Sequence, residues 1–132
     1  MIRFFETWAP SALSVLRIIA GFLMLWHGSQ KLFGYPVAGQ PGELSTLMLI
    51  GGIIEFFGGL LVLVGFFTRP AAFLLSGMMA VAYFMVHAAS GFLPLVNKGE
   101  LAAIYSFLFL YFVFAGPGPW SVDALMSRRS VS

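Results

Sequence analysis

An all-α fold, a four-helix transmembrane bundle with short loops and both termini in the cytoplasm, is what this sequence predicts. Three observations lead there. Of 132 residues, 60% are hydrophobic and 9% charged, against about 25% charged in an ordinary soluble domain. The mean hydropathy is +0.95. A bilayer-spanning helix uses about 20 mainly apolar residues, so four spans and their connections consume the chain and leave no room for a soluble domain. The 7 basic and 5 acidic residues give a net charge of +2. That is too little basic density to neutralise a nucleic-acid backbone, so nucleic acid is not expected as a partner. There is no cysteine, which removes disulfides, thiolate metal sites, iron–sulfur clusters and cysteine nucleophiles.

Residues 1–132 read as one transmembrane domain. The first span covers about 11–32, opened by Pro10 at a helix-start position and closed by Gly34-Tyr35-Pro36. It is longer than the apolar core of a signal peptide, carries Arg17 inside it, and ends in Trp26-His27-Gly28-Ser29-Gln30; it reads as retained rather than cleaved. The second, about 44–67, has Glu55 as its only charge and stops before Pro70, which discourages continuation of the helix. The third, about 71–89, is uncharged and meets Gly91 and Pro94. The fourth, about 100–115, ends at Gly116-Pro117-Gly118-Pro119, and a polar tail follows over 120–132. Arg3, Arg69, Arg128 and Arg129 fall on one side, against Lys31 and Lys98 on the other. Because cytoplasmic loops are enriched in Lys and Arg, the arginine side is cytoplasmic and the loops 34–43 and 91–99 face outward.

Inside lipid, helices associate through small residues and keep polar groups off the hydrocarbon. At 100° per residue, Arg17, Gly21, Met24, Gly28 and Lys31 share a face of the first helix, with His27 about 80° aside. Gly51, Glu55, Gly58 and Gly65 share one on the second, Ser76, Ala80, Tyr83 and His87 on the third, and Glu100, Phe107 and Tyr111 on the fourth. With a rise of about 1.5 Å per residue, Arg17 is expected on the order of 10 Å from the cytoplasmic end of its span, Glu55 roughly 18 Å, and His27 and His87 each about 25 Å. Lys31 and Glu100 fall near the outer mouth. The candidate site is therefore Glu55 as the proton-exchanging residue, with Arg17, His27, Lys31, Tyr83, His87 and Glu100 around it and no metal site.

Each of these residues also has a plainer reading. Glu55 and Arg17 can form a structural ion pair, although ionisable groups in a bilayer, costing about 2.5 to 3.5 kcal/mol at a helix centre for Arg, Lys or Asp, are functional by default. His27 and His87 can be interfacial histidines, proton exchangers beside a redox ligand, or axial haem ligands. Haem is disfavoured, because only one histidine pair exists and no attachment motif accompanies it. Lys31 and Lys98 can snorkel, and Tyr83, Tyr105 and Tyr111 suit an aromatic belt or packing. No Ser-His-Asp, HExxH or spaced carboxylate-pair signature occurs.

Several stretches, taken in order, resemble the DoxX-like membrane proteins. They are Arg17; His27-Gly28-Ser29-Gln30-Lys31-Leu32-Phe33-Gly34; Glu55; Gly65-Phe66-Phe67-Thr68-Arg69; His87; Gly99-Glu100; and Gly116-Pro117-Gly118-Pro119-Trp120-Ser121-Val122-Asp123. The resemblance covers nearly the whole chain and implies a four-helix bundle in the cytoplasmic membrane. It also implies a link to quinone-dependent redox complexes, including a small membrane subunit of thiosulfate:quinone oxidoreductase, and to oxidative stress. More distant relatives are similar to cargo receptors and receptor chaperones, which catalyse nothing. Function has still to be argued from the site. The leading expectation is an accessory subunit that offers a quinone or quinol headgroup an intramembrane site, with Glu55 exchanging a proton, His27 and His87 bonding the oxygens, and Arg17 orienting Glu55. Electrons would go to a redox partner protein. The rivals are a non-catalytic scaffold or assembly factor, and a small transporter or proton pathway, which would need a homo-oligomer to gain interior volume.

Overall fold

The computed structural model describes residues 1–39 and 43–130, all of whose regular elements are helical. Helix α1 runs Ile2–Phe33, α2 Thr46–Val64 and α3 Thr68–Ala82. The third helix continues through a π-turn at Tyr83–His87 and a short 3-10 turn at Ala88–Ser90. A single turn α4, Pro94–Asn97, leads into α5, Glu100–Ala115, and α6, Val122–Arg129, closes the described chain. Among the described residues, Ile2–Phe33, Thr46–Val64 and Thr68–Ser90 are long and apolar enough to cross a membrane. At 16 residues α5 rises about 24 Å, a shortfall against a ~30 Å core that a bilayer absorbs by thinning locally.

Several boundaries move from their sequence-predicted places, each for a physical reason. Pro10 lies inside α1 rather than at its start; it removes one N–H bond close to the helix end, and the exposed residues 2–9 stay helical. Helix α2 stops at Val64 because Gly65 adopts the left-handed conformation, its N–H bonding back to Leu61 and Val62. Pro70 then falls in the first turn of α3, where an amide has no intrahelical partner to lose. The tail forms α6, with Ser121 accepting from Ala124 N at its N-cap. Of the predicted outward loop 34–43, residues 40–42 lie outside the described residues, as do 131 and 132 of the tail.

Helices α1 and α2 meet backbone to backbone. A side-chain carbon added at Gly28 would stand 2.6 Å from Phe56 Cα and 2.8 Å from Gly52 O, and one at Gly59 would stand 2.6 Å from Leu25 N. Gly21 abuts Leu63 in the same way. These glycines recur at seven-residue spacing, as close small-residue packing in membranes requires. The expected seam of α2 divides in two: Gly52 and Gly59 face α1, while Gly51 and Gly58 meet Met78 and Leu75 of α3. Glu55 sits between the two rows. Helices α3 and α5 are joined by a reciprocal pair, Ser76 Oγ donating to Ser106 O at 2.8 Å and Ser106 Oγ to Ser76 O at 3.1 Å. The inward face of α5 is Ala102, Tyr105, Phe109 and Phe112. The expected face, with Glu100, Phe107 and Tyr111, is corrected: all three are exposed. Helix α5 is apolar all round, so its periodicity offers no contrast from which to read a face.

Candidate functional site

Polar groups gather at the two ends of the bundle in different ways. At the end where α6 packs, Arg17 is fully buried and its Nη2 donates to Trp120 O at 2.7 Å. The guanidinium lies against Gly65, in the space a side chain there would need. Asp123 accepts from the amides of Phe67 and Thr68, both at 3.0 Å, at the start of α3, and its own amide donates to Gly65 O. Arg69 in turn donates to the carbonyls of Val113 and Phe114 at the end of α5. Opposite charges thus sit on the two helix poles that favour them.

Asp123→Ala removes two charge-assisted bonds from α3. Each is worth ~1.5 to 3 kcal/mol when buried, and the carboxylate is partly exposed, so a loss of about 2 kcal/mol is expected. A thermal unfolding midpoint in detergent measures it, and Asp123→Asn, which keeps one acceptor, should fall between the two.

The pairing of Arg17 with Glu55 is therefore corrected. Glu55 Oε1 is bound by Lys31 Nζ at 2.6 Å. The α1–α2 seam explains why: Gly28 lies opposite Phe56 and Gly21 opposite Leu63, a register that puts Glu55 within about half a helical turn of Lys31 and Arg17 beside Phe67. Arg17 and Glu55 are then separated by roughly 18 Å along the axes.

At the other end a cavity of about 200 Å³ opens among α1, α2, α3 and α5. Its polar wall is His27, Lys31, Glu55, His87, Lys98 and Tyr105, and Met24 and Met79 line it with apolar surface. Glu55 is 1% exposed, and its Oε2 is buried with no hydrogen-bond partner among the described residues. His27 stands edge-on to Tyr105, ring centroids 6.2 Å apart. His87 Nδ1 lies 3.2 Å from Asn97 O. A carbonyl only accepts, so Nδ1 carries a proton, and in the neutral ring Nε2 is the nitrogen with the lone pair. With two lysines and one carboxylate, the chamber has an excess of positive charge.

Asn97 builds this corner. It is 6% exposed; its Nδ2 donates to Gly91 O at 2.7 Å and to Tyr83 Oη at 3.2 Å, and its Oδ1 accepts from Gly99 N at 2.8 Å. The π-turn widens the helix where Tyr83 and His87 leave α3, a distortion that recurs at functional sites. Of the sequence-predicted residues, His27, Lys31, Glu55 and His87 share the chamber, and Arg17, Tyr83 and Glu100 do not line it. Tyr83 is buried behind the wall and donates to Phe92 O. Glu100 is exposed in the first turn of α5, where its charge suits the helix pole. Lys98 and Tyr105, which by sequence suit a snorkelling cation and a packing aromatic, line the chamber as well. Equal depth with His27 and His87 was the signal that could have recruited them.

Comparison with known proteins places these features in a family. The DoxX family model matches residues 12–88. A Haemophilus influenzae protein of unassigned function is 42% identical over 89% of this chain and 92% of its own length. The inner membrane protein YqjF of Escherichia coli is 32% identical over 87% and 92%. A membrane protein of Mycobacterium tuberculosis is 27% identical over 98% and 90%. No solved structure matches the chain.

Proposed function

This chain belongs to the DoxX family of membrane proteins, and from that premise we propose that its chamber receives the headgroup of a membrane quinone or quinol on behalf of a redox partner. The protein resides in the inner membrane as a multi-pass protein. The observation that carries the reading is Glu55 Oε2, a buried carboxylate oxygen with free accepting capacity in the chamber wall. A buried acceptor left without a partner costs free energy, and a hydroxyl donor in the chamber supplies what it lacks. His87 offers a second acceptor at Nε2, held in that tautomer by Asn97. Lys31 and Lys98 favour an oxygen-rich ligand over a cation. A quinol, when bound, supplies two protons and two electrons on oxidation. Glu55 and His87 are the residues here that take up protons, and the electrons pass to the partner protein.

The test is Glu55→Gln, which keeps the side-chain shape and removes the charge. Wild-type protein in nanodiscs is expected to bind a tail-less benzoquinol, and the variant to bind it ten- to a hundredfold more weakly, the range that loss of a charged hydrogen bond implies. Its unfolding midpoint should stay near wild type. Unchanged binding would overturn the assignment. Loss of folded protein without any bound quinol would instead favour a scaffold, in which Lys31 and Glu55 serve packing alone.

A further inference from the structure

Lys31 and Ala82 line two cavities: the chamber, and a smaller one of about 80 Å³ between α2 and α3. The smaller cavity is otherwise apolar, with Met48, Met78 and Met85 in its wall. Through Leu47, Met78 and Val81 it adjoins a third, a groove of about 290 Å³ on the membrane-facing seam of the same two helices. Every residue lining that groove is apolar. The three spaces therefore adjoin in series and grade from polar to apolar, with Lys31 at the junction.

The glycines of the groove differ from those of the α1–α2 seam. A side-chain carbon at Gly77 would have nothing within 4 Å, and one at Gly51 would meet only the flexible end of Met78. A mid-helix glycine costs roughly 1 kcal/mol relative to alanine. At Gly28 or Gly59 close helix contact accounts for it, and at Gly77 no contact within the chain does. Direction also matters. From Val86 by the chamber to Phe73 in the groove, α3 descends about 20 Å, toward the bilayer interior, as a lipid chain does when its headgroup sits near one surface. Methionine side chains adapt to irregular apolar shapes, which suits a branched or kinked chain.

We propose that the α2–α3 seam is a tail channel, taking the single prenyl chain of a quinone whose headgroup lies in the chamber. The headgroup half rests on the function proposed above; the channel rests on the residues that adjacent cavities share. A second copy of the chain suits these spaces less well, since a helix about 10 Å across cannot enter the cavity of about 80 Å³ beside Lys31.

Three probes test it in nanodiscs: a benzoquinone with a diazirine midway along a prenyl tail, the same headgroup without a tail, and phosphatidylcholine with a diazirine in one acyl chain. The tailed quinone is expected to label residues 47–54 and 73–86, and excess tail-less headgroup to suppress that labelling. Gly77→Leu, which fills the groove, should weaken the tailed probe at least tenfold and change tail-less binding less than twofold. Labelling spread evenly over the lipid-facing helices overturns the channel. So does seam labelling that phosphatidylcholine matches and the tail-less headgroup does not suppress, since the seam then holds ordinary lipid. Failure of the tail-less headgroup to bind wild type counts against the headgroup reading alone, and the pattern of tail labelling still decides the channel.

Discussion

Replacing Gly28 with leucine is expected to remove most of the folded protein. The new side chain would start 2.6 Å from Phe56 Cα and 2.8 Å from Gly52 O, and both are backbone atoms that cannot rotate away. Overpacking a core costs typically 1 to 3 kcal/mol where side chains can adjust. Here α1 and α2 must separate, so a loss of about 3 kcal/mol or more is expected, a fall of over a hundredfold in the ratio of folded to unfolded protein. The better helix propensity of leucine returns under 1 kcal/mol of this. Separation also draws Lys31, less than one turn away, from Glu55. The measurement is the recovery of monodisperse protein and its unfolding midpoint in detergent, with Gly77→Leu as the matched control that should fold normally. A wild-type midpoint for Gly28→Leu would show that the two backbones are not in contact.

Asn97→Ala is expected to have the second largest effect, on site and fold together. It leaves Gly91 O without a partner and removes one of the two bonds at Tyr83 Oη and at Gly99 N, which keep Phe92 O and Pro94 O. An orphaned carbonyl costs ~1 to 3 kcal/mol and each of the two other lost bonds ~0.5 to 1.5 kcal/mol, and because they share one network, a combined loss of about 3 kcal/mol is expected. The loop then releases Lys98 and the carbonyl that orients His87, so headgroup affinity should fall at least tenfold. Nitrogen-15 NMR of the imidazoles separates the positioning role from simple destabilisation. His87 should report the Nδ1–H tautomer in wild type and a mixture in the variant, at temperatures where both are folded. An unchanged tautomer and affinity would remove Asn97 from the site. Asn97→Asp, which keeps the acceptor for Gly99 N and loses both donors, should fall between them.

Most of the membrane architecture was legible in hydropathy, because lipid forces apolar surface onto every span and leaves the few polar residues conspicuous. The inward face of α1 and the inward turn of Glu55 followed from small and charged residues sharing a helical period. His27 and His87 were placed at equal depth by counting residues, and both line the chamber. Partner choice was not legible in that way. Whether Glu55 meets Lys31 or Arg17 depends on how far α1 slides along α2, and that is set by which glycines touch, a property of two helices together. Helix α5 has no polar stripe, so nothing in its sequence marked Tyr105 as inward or Tyr111 as outward. Asn97 was invisible for a different reason. Its worth lies in a loop closing on a π-turn, and neither feature has a periodic signature.

The cluster around Arg17 bears on how the protein is made. Arg17 lies in α1, far ahead in the chain, yet the carbonyl that binds it belongs to Trp120, and the carboxylate that caps α3 belongs to Asp123. Those residues are synthesised only after all four spans. Until then the arginine has no carbonyl from Trp120 and the start of α3 keeps bare amides, so the nascent bundle holds an unmet demand for polar partners at that end. Completion of the fold is thereby tied to completion of residues 116–123, which supply the last polar partners of α1 and α3.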